Sequence, residues 1–492
     1  MAADRKKLNM QLGTVGRLLV SHTALALCYG VFLFLYELPI LRVLLEPVHP
    51  VLIAWAGALA LYDVAVRKLW KQLPMWQWLV GFAVLAGVSA VVNHEAGLVD
   101  NVKTWILTCL PLVAFLPLCL LTDKREKALL TAFSGGAVVA CIASGIAIVL
   151  YLLRISTHVE FMGVTKFVGY CYYVPNDPNS GILLYGLYAD TNQASTYAIV
   201  FAAYGLWLLD ACRRGIFGKW KGAVKTFAIV SLAVQLCYFP LANSRGGWLC
   251  LAVAGVLCVF LYGFCTRLKT DKKAKRALLA LVIAVLSVAV LCGGLLVARS
   301  GLSLASKAIL YQPAFLPDSG ETGGSPVRPD VQPIDPGIPE ADVFQKADML
   351  LGAGRVAIWK EALQLFAKFP ILGVGPNNAT YYAKQLAFGE KLRSGFSLHN
   401  SFLEVLVGFG ALGFAALMVF FVSCAWMILR KLFCNGRQLG ARDHLCVFAV
   451  VFLAGASLLL NGLFINTTAM YFLFLCGLSY ALSRCRAKEV NG

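Results

Sequence analysis

Apolar residues occur in long, uninterrupted runs, whereas half-buried strands would show alternation. Runs of about 20 apolar residues recur along the whole chain, and each is long enough to cross a bilayer as a helix. Continuous runs also argue against a transmembrane barrel, whose strands alternate apolar and polar positions. The predicted spans lie at about 16–36, 48–66, 76–93, 104–122, 128–153, 192–212, 224–241, 247–266, 277–298, 401–427, 445–463 and 467–483.

Polar residues concentrate in two segments between these twelve spans. The shorter segment, residues 154–190, is rich in Tyr, Asn and Gly. The longer one, residues 299–398, has room for an extracytoplasmic subdomain. It separates an N-terminal bundle of nine spans (1–298) from a C-terminal part with spans ten to twelve (399–492). We therefore predict an all-α polytopic membrane protein with one large extracytoplasmic loop.

The large loop itself has two parts of different composition. Residues 312–345 contain seven prolines among Gly, Ser, Asp and Glu, which predicts a flexible tether. Residues 354–369 have apolar positions at helical spacing, which predicts an amphipathic helix resting on the membrane or the bundle. These positions are Val356, Trp359, Leu363 and Phe366.

Composition and charge agree with this topology. The chain is 59% hydrophobic and 14% charged, whereas a soluble protein carries about a quarter charged residues. With the N-terminus inside, the predicted cytoplasmic segments hold 28 of the 43 Lys and Arg residues, so we predict that both termini are cytoplasmic. The net charge of +18 then reflects loops beside the lipid bilayer, and no nucleic-acid partner is expected.

Arg245 is the first candidate for chemistry, in the segment 243–248, Asn-Ser-Arg-Gly-Gly-Trp. A charge at the edge of a membrane bundle is costly unless it is paired or used. The two glycines after it let the backbone approach a ligand closely. The alternative interpretation is an interfacial arginine at the end of a helical hairpin.

Two further candidates, Arg355 and His399, lie in and after the large loop. Arg355 begins the predicted amphipathic helix, where its guanidinium and the helix N-terminus could bind phosphate oxygens; the alternative is a solvated helix residue. His399 opens a long apolar helix and titrates near neutrality, so it could act as a general base; the alternative is a histidine satisfied at a helix entrance. Glu404, on the same helix, could orient His399. Asn192, at the start of span six, could face the same cavity or belong to a helix cap.

The cysteines and acidic residues give no sign of a metal site. No Cys/His set has zinc spacing, and no acidic pair is spaced for metal binding in a candidate loop. The sequence therefore predicts a metal-independent site without a cofactor.

Three segments, in this order, resemble motifs of the O-antigen ligase and polymerase family of bacterial envelope proteins. They are 243–248; Gly354-Arg355 with Trp359 and the later Gly373-Val-Gly375; and His399-Asn400 through Glu404, followed by further glycines. The likeness covers about residues 180–425.

This resemblance implies a GT-C-like transferase in the bacterial cytoplasmic (inner) membrane. Its donor would be an undecaprenyl-diphosphate-linked glycan, and its acceptor a glycan, a lipid or a cell-wall polymer. Arg245 and Arg355 would hold the diphosphate, and His399 would help to activate the acceptor hydroxyl or assist the leaving group. The substrate-binding candidates are Asn192, Asn243, Asn400 and Glu404.

The chain departs from the family pattern in one place. Many members have an arginine a few residues before span six, but residues 183–190 contain no basic residue. The resemblance then implies that Tyr185, Tyr188 or another cation takes its place, or that the donor or acceptor differs.

Three functions remain open from the sequence. A ligase and a polymerase of lipid-linked repeats need the same diphosphate-binding groups and differ in acceptor. A non-catalytic transporter or flippase of lipid-linked oligosaccharide would need cations lining a cavity across the bilayer midplane. The predicted spans are almost free of charge, which favours a transferase.

Overall fold

The computed structural model describes residues 14–122, 124–162, 164–172, 182–268, 272–310, 353–435 and 439–486, and most of them are helical. The helices are α1 (Thr14–Leu19), α2 (His22–Tyr36), α3 (Pro39–Leu45), α4 (His49–Ala65), α5 (Trp76–Val92), α6 (Leu98–Ala114), α7 (Arg125–Leu152), α8 (Thr191–Arg213), α9 (Lys221–Ala242), α10 (Arg245–Tyr262), α11 (Lys273–Leu310), α12 (Ala353–Lys368), α13 (Ala379–Gln385), α14 (Glu390–Arg393), α15 (Ser401–Asn435), α16 (Ala441–Ala456) and α17 (Ala469–Arg486).

Seven helical segments of the described chain are long and apolar enough to cross a membrane. Each of the twelve predicted spans overlaps a helix, and α2, α5 and α17 are shorter apolar helices. The chain is therefore a multi-pass helical membrane protein, while the count of twelve stays a prediction. The seven segments are Pro39–Ala65, Arg125–Leu152, Thr191–Arg213, Gly218–Ala242, Arg245–Arg267, Lys273–Ser306 and Ser401–Cys434.

Helix α8 lies at the centre of the bundle. Of its most apolar stretch 83% is buried inside the protein, against 17% for the segment Pro39–Ala65. It packs against α9 along its length and also contacts α7 and α16. The residue that starts α8 is therefore held in place from several sides.

The prediction of an all-α fold is wrong in the first polar segment. Strands β1 (Ser156–Phe161), β2 (Val164–Tyr172) and β3 (Ile182–Gly186) form an antiparallel sheet in the order β1-β2-β3. Their Thr, Val, Phe and Tyr residues favour strands, although the Gly and Asn around them suggested a loop. The sheet packs on α7 and α9.

The described part of the large loop, residues 353–398, forms a subdomain with its own small core. Helix α12 covers the segment for which an amphipathic helix was predicted, and its buried face is Ile358, Ala362 and Leu365. Val356 and Leu363 are 62% and 50% exposed, so the predicted apolar face was only partly correct. The core also includes residues of α15, which ties the subdomain to the bundle. The predicted tether, 312–345, lies outside the described residues.

Helix α15 is interrupted at Gly410, whose φ of 67° and ψ of −175° are not helical. The loop before α13 pairs with this break through backbone hydrogen bonds: Val374 and Gly375 donate to the carbonyls of Val407 and Gly408 at 3.0 and 2.8 Å. On the other side of the break, the amide of Ala411 donates to Pro370 at 2.8 Å. The loop thus satisfies backbone groups that the break would leave unpaired.

Helix α5 supports this loop from the N-terminal half of the chain. Ser89 donates to the carbonyls of Leu372 and Gly408 at 2.6 and 3.0 Å. Asn93 accepts a hydrogen bond from the Tyr382 hydroxyl at 2.7 Å. Although the motif resemblance begins only near residue 180, the early spans therefore hold the large loop in position.

Candidate functional site

The turn between α9 and α10 places several polar groups together. Asn243 ends α9 in the left-handed conformation, with φ of 54°, and Ser244 caps α10 by accepting a hydrogen bond from the Gly247 amide at 3.0 Å. The Ser244 hydroxyl also donates to Asn192 Oδ1 at 2.8 Å. Arg245 is the first residue of α10 and is exposed. The cap and its bond to Asn192 therefore fix the backbone from which Arg245 extends.

Arg299 is a cation that the sequence did not single out. It lies on α11, and its Nη1 donates to Asn243 Oδ1 at 3.0 Å. A second guanidinium thus contacts the turn that carries Arg245, two residues before it. The contact joins two segments 56 positions apart, so no local pattern could have indicated it.

Asp190 and Asn192 form the start of α8. The Asp190 carboxylate accepts a hydrogen bond from the Asn192 amide at 2.8 Å and caps the helix. The side chain of Asn192 faces the α9–α10 turn through Ser244. Asp190 therefore caps α8, whereas Asn192 links α8 to the turn that carries Arg245.

His399 lies between the large loop and α15, in the left-handed conformation with φ of 48°. Trp359 Nε1, one turn after Arg355 on α12, donates to the Leu398 carbonyl at 2.9 Å and so ties the backbone before His399 to that helix. Burial lowers the pKa of His399, and the positive charge of Arg355 lowers it further, while Asp190 acts in the opposite direction. These surroundings favour the neutral imidazole, the form that can accept a proton.

The prediction that His399 opens the long helix is wrong by two residues. Helix α15 begins at Ser401, and Asn400 caps it: its Oδ1 accepts hydrogen bonds from the amides of Phe402 and Leu403, both at 3.0 Å. The side-chain oxygen of Asn400 thus has a structural role. Ser401 Oγ donates to the Leu460 carbonyl at 2.9 Å, which anchors the helix start.

Glu404 lies apart from this arrangement. Within the described part of the chain, its carboxylate makes no hydrogen bond with His399 or with Asn400, so the structure does not support the predicted orienting role. Instead, Glu404 lines a cavity of about 170 Å³ together with Asn378 and Ser397.

The two tyrosines considered as replacements for the missing arginine have other surroundings. Tyr188 is buried, and its hydroxyl lies 3.2 Å from Ser144 Oγ inside the bundle. The ring of Tyr185 packs edge-on against Phe167 of β2. Arg299, in contrast, is a cation that directly contacts the motif around Arg245.

The arrangement is electropositive. Two groups of residues meet at the start of α8: Arg245 and Arg299 at the α9–α10 turn, which Ser244 ties to Asn192, and Arg355 with His399, which is within electrostatic reach of Asp190. We call the three arginines and Asp190, together with His399, the charged cluster. Such a cluster can hold an anion with several oxygens through charge-assisted hydrogen bonds, next to a neutral imidazole. Among the described residues, no group of three or more His, Cys, Asp or Glu side chains could hold a metal ion.

One segment of the chain matches a known protein family. Residues 227–418 match the family model described as O-antigen ligase, and this segment contains Arg245, Arg299, Arg355, His399 and Glu404. The chain is a multi-pass membrane protein, and its residues 227–418 are similar to the O-antigen ligase family. No curated protein matches the chain at a significant level. The match begins after α8, so Asp190 and Asn192 lie outside it.

Proposed function

We propose that this protein transfers a glycan from an undecaprenyl-diphosphate carrier to an acceptor hydroxyl at the outer face of the cytoplasmic membrane. The observation that carries the proposal is the position of His399. Its half-buried ring has no hydrogen-bond partner among the described residues, and its neutral form is favoured beside Arg355. A diphosphate held by guanidinium groups next to such a base is the arrangement that glycan transfer needs.

The proposed transfer step follows from the roles of His399 as the base and of the arginines as diphosphate-binding groups. His399 accepts the proton of the acceptor hydroxyl, whose oxygen forms a bond to the anomeric carbon of the donor. The bond from that carbon to the diphosphate breaks, and the electron pair leaves with the lipid diphosphate. Arg245, Arg299 and Arg355 stabilise the negative charge that develops on the leaving group, so the proposal needs no metal ion.

A ligase is favoured over a polymerase by the description of the family that residues 227–418 match. The two activities leave different intermediates in the cell. A ligase acts on a finished glycan, whereas a polymerase extends single repeats on the carrier.

The test is a mass-spectrometric profile of lipid-linked glycans in cells that lack the gene, complemented with the wild-type protein, His399→Ala or His94→Ala. We expect full-length lipid-linked glycan to accumulate without the gene and with His399→Ala, and to be cleared by the wild type and by His94→Ala. His94 is an exposed histidine outside the charged cluster, so it is the matched control.

Two outcomes would change the proposal. Accumulation of single lipid-linked repeats would identify a polymerase. An unchanged profile, or full complementation by His399→Ala at equal protein level, would refute a transferase that uses His399.

A further inference from the structure

The cavity that contains Glu404 lies between the large-loop subdomain and the first half of α15. Its volume is about 170 Å³, roughly ten times the 10–15 Å³ that a single water molecule needs, so it has room for a molecule larger than water. Polar side chains from both elements line it: Asn377, Asn378, Thr380, Ser397 and Glu404.

Two of these side chains lack partners in a position where partners are expected. Ser397 Oγ is buried and has no hydrogen-bond partner among the residues that the structure describes. The half-buried carboxylate of Glu404 makes no hydrogen bond or ion pair within the described part of the chain. Polar groups that are withdrawn from water without a partner are costly, and proteins keep few of them. Both residues line one cavity with three further polar residues, and the unpartnered Glu404 carboxyl group there indicates a polar ligand.

The lining defines the class of ligand. It contains a carboxylate, hydroxyls and amides but no Lys, Arg or His, so an anion such as a diphosphate would not be stabilised there. A carboxylate accepts hydrogen bonds from two neighbouring hydroxyls, and Asn378, whose amide nitrogen already donates to the Val374 carbonyl at 3.0 Å, has its oxygen left to accept. The best match is a neutral compound with several hydroxyl groups.

The cavity is joined to the charged cluster through the backbone. Ser397 and Leu398 line it, and His399 follows directly. The hydrogen bond from Trp359 to the Leu398 carbonyl holds this segment against α12, the helix that carries Arg355. A sugar ring in the cavity would therefore lie next to the backbone segment that carries His399, while the donor diphosphate would bind the guanidinium groups.

From these observations we infer that the cavity lined by Ser397 and Glu404 binds the acceptor sugar, with Glu404 as a hydrogen-bond acceptor for its hydroxyls. The inference rests on the proposed function, because it assigns the second substrate of the same reaction. It separates donor and acceptor sites by their chemistry, cationic for the diphosphate and lined by hydroxyl, amide and carboxyl groups for the neutral sugar.

The experiment measures binding of free sugars to the full chain in lipid nanodiscs by saturation-transfer NMR, with glucose, galactose and N-acetylglucosamine as probes. We expect saturation transfer to at least one sugar with the wild type. Glu404→Gln and Ser397→Ala should weaken that binding about tenfold, the effect of losing a hydrogen bond to a charged group or a buried hydroxyl. Glu95→Gln, at an exposed carboxylate outside the cavity, is the matched control and should not change it.

A parallel measurement of undecaprenyl diphosphate retention makes the assignment specific. Retention should be unchanged in Glu404→Gln and reduced in Arg245→Ala. Thermal unfolding of each variant shows whether it is folded, and Ser397→Ala tests the same cavity if Glu404→Gln is unstable.

Each result decides the inference. If the wild type shows no saturation transfer to any of the sugars, the cavity holds water only. If both substitutions leave sugar binding unaffected, the sugar binds elsewhere. Either outcome overturns the inference. Sugar binding that depends on Glu404, together with an unchanged profile of lipid-linked glycans in cells without the gene, would instead refute the proposed function and leave the sugar site standing.

Discussion

At the scale of single residues, the pKa of His399 is set by groups from two different elements. Burial and Arg355 on α12 lower it, and Asp190 at the start of α8 raises it. The neutral ring is the proposed base, so activity should persist below the ordinary histidine pKa of about 6.5 and fall as the pH drops through the lowered value.

Substitution of Asp190 or Arg355 should shift, in a defined direction, the pH at which activity is lost on acidification. Asp190→Asn removes the group that raises the pKa, and it should shift the loss of activity to lower pH; asparagine still caps α8. Arg355→Gln removes a positive charge and should shift it to higher pH. The measurement is kcat against pH for each purified variant. Shifts of both variants in the same direction would contradict this account, whatever the change in maximal rate.

Arg299 provides a second prediction at this scale. Because its guanidinium is held by Asn243 on the turn before Arg245, Arg299→Gln should weaken undecaprenyl diphosphate binding about tenfold, as expected for one charge-assisted contact. Asn243→Ala should have a smaller effect in the same direction, because the cation remains but is no longer positioned.

The control is Lys275→Gln, an exposed cation at the other end of the same helix. Equal weakening in Lys275→Gln and Arg299→Gln would show that only the overall charge matters. If Arg299→Gln binds undecaprenyl diphosphate as tightly as the wild type does, Arg299 is not part of the donor site.

At the scale of elements, the glycines of the large loop are explained by backbone pairing with the broken helix α15. Gly373 has φ of 70°, and a Cβ there would lie 2.4 Å from the Val407 carbonyl oxygen. Gly373→Ala should therefore destabilise the protein by about 3 kcal/mol or more, from left-handed strain and overpacking together.

Gly215→Ala separates these two causes. Gly215 has a similar φ of 76°, but a Cβ at this position would have no neighbouring atom within 4 Å. Its substitution should cost only the backbone strain, about 1–2 kcal/mol. Thermal unfolding of both variants in the same detergent measures the difference. Equal losses would show that the close approach of the loop to α15 does not matter.

The sequence predicted those parts of the fold that depend on local patterns. The apolar runs indicated the helices of the bundle, and the spacing of Trp359 and Phe366 indicated α12. The sheet of β1 to β3 was missed because strand pairing joins residues that are distant in the sequence, as with Gly169 and Gly186.

In the candidate site, too, residues in local motifs were predicted and long-range contacts were missed. Arg245, Arg355 and His399 were identified from short motifs, and the structure places Arg355 and His399 within electrostatic reach of each other. Arg299 was missed because its importance depends on one contact across 56 residues. The orienting role considered for Glu404 finds no support, because five residues along the chain do not tell which cavity a side chain lines; substrate binding by Glu404 stays a prediction.

At the scale of the whole molecule, the site is built from more of the chain than the family match covers. Residues 227–418 contain the three guanidinium groups and His399, but Asp190 and Asn192 precede them, and the loop rests on α5 through Ser89 and Asn93. The large-loop subdomain and the bundle are therefore one structural assembly, in which the N-terminal helices support the segments that carry the candidate site.

The proposed reaction requires this assembly to face outwards, and the distribution of Lys and Arg predicts that it does. Lys384, at the end of α13, and Lys219, between α8 and α9, are both exposed and belong to opposite faces in this topology. In spheroplasts, a membrane-impermeant maleimide should label Lys384→Cys directly and Lys219→Cys only after permeabilisation. The wild type, with its 16 native cysteines, gives the background. The reverse pattern would place His399 on the cytoplasmic side, where the proposed transfer at the outer face cannot occur, and would refute both the topology and the function built on it.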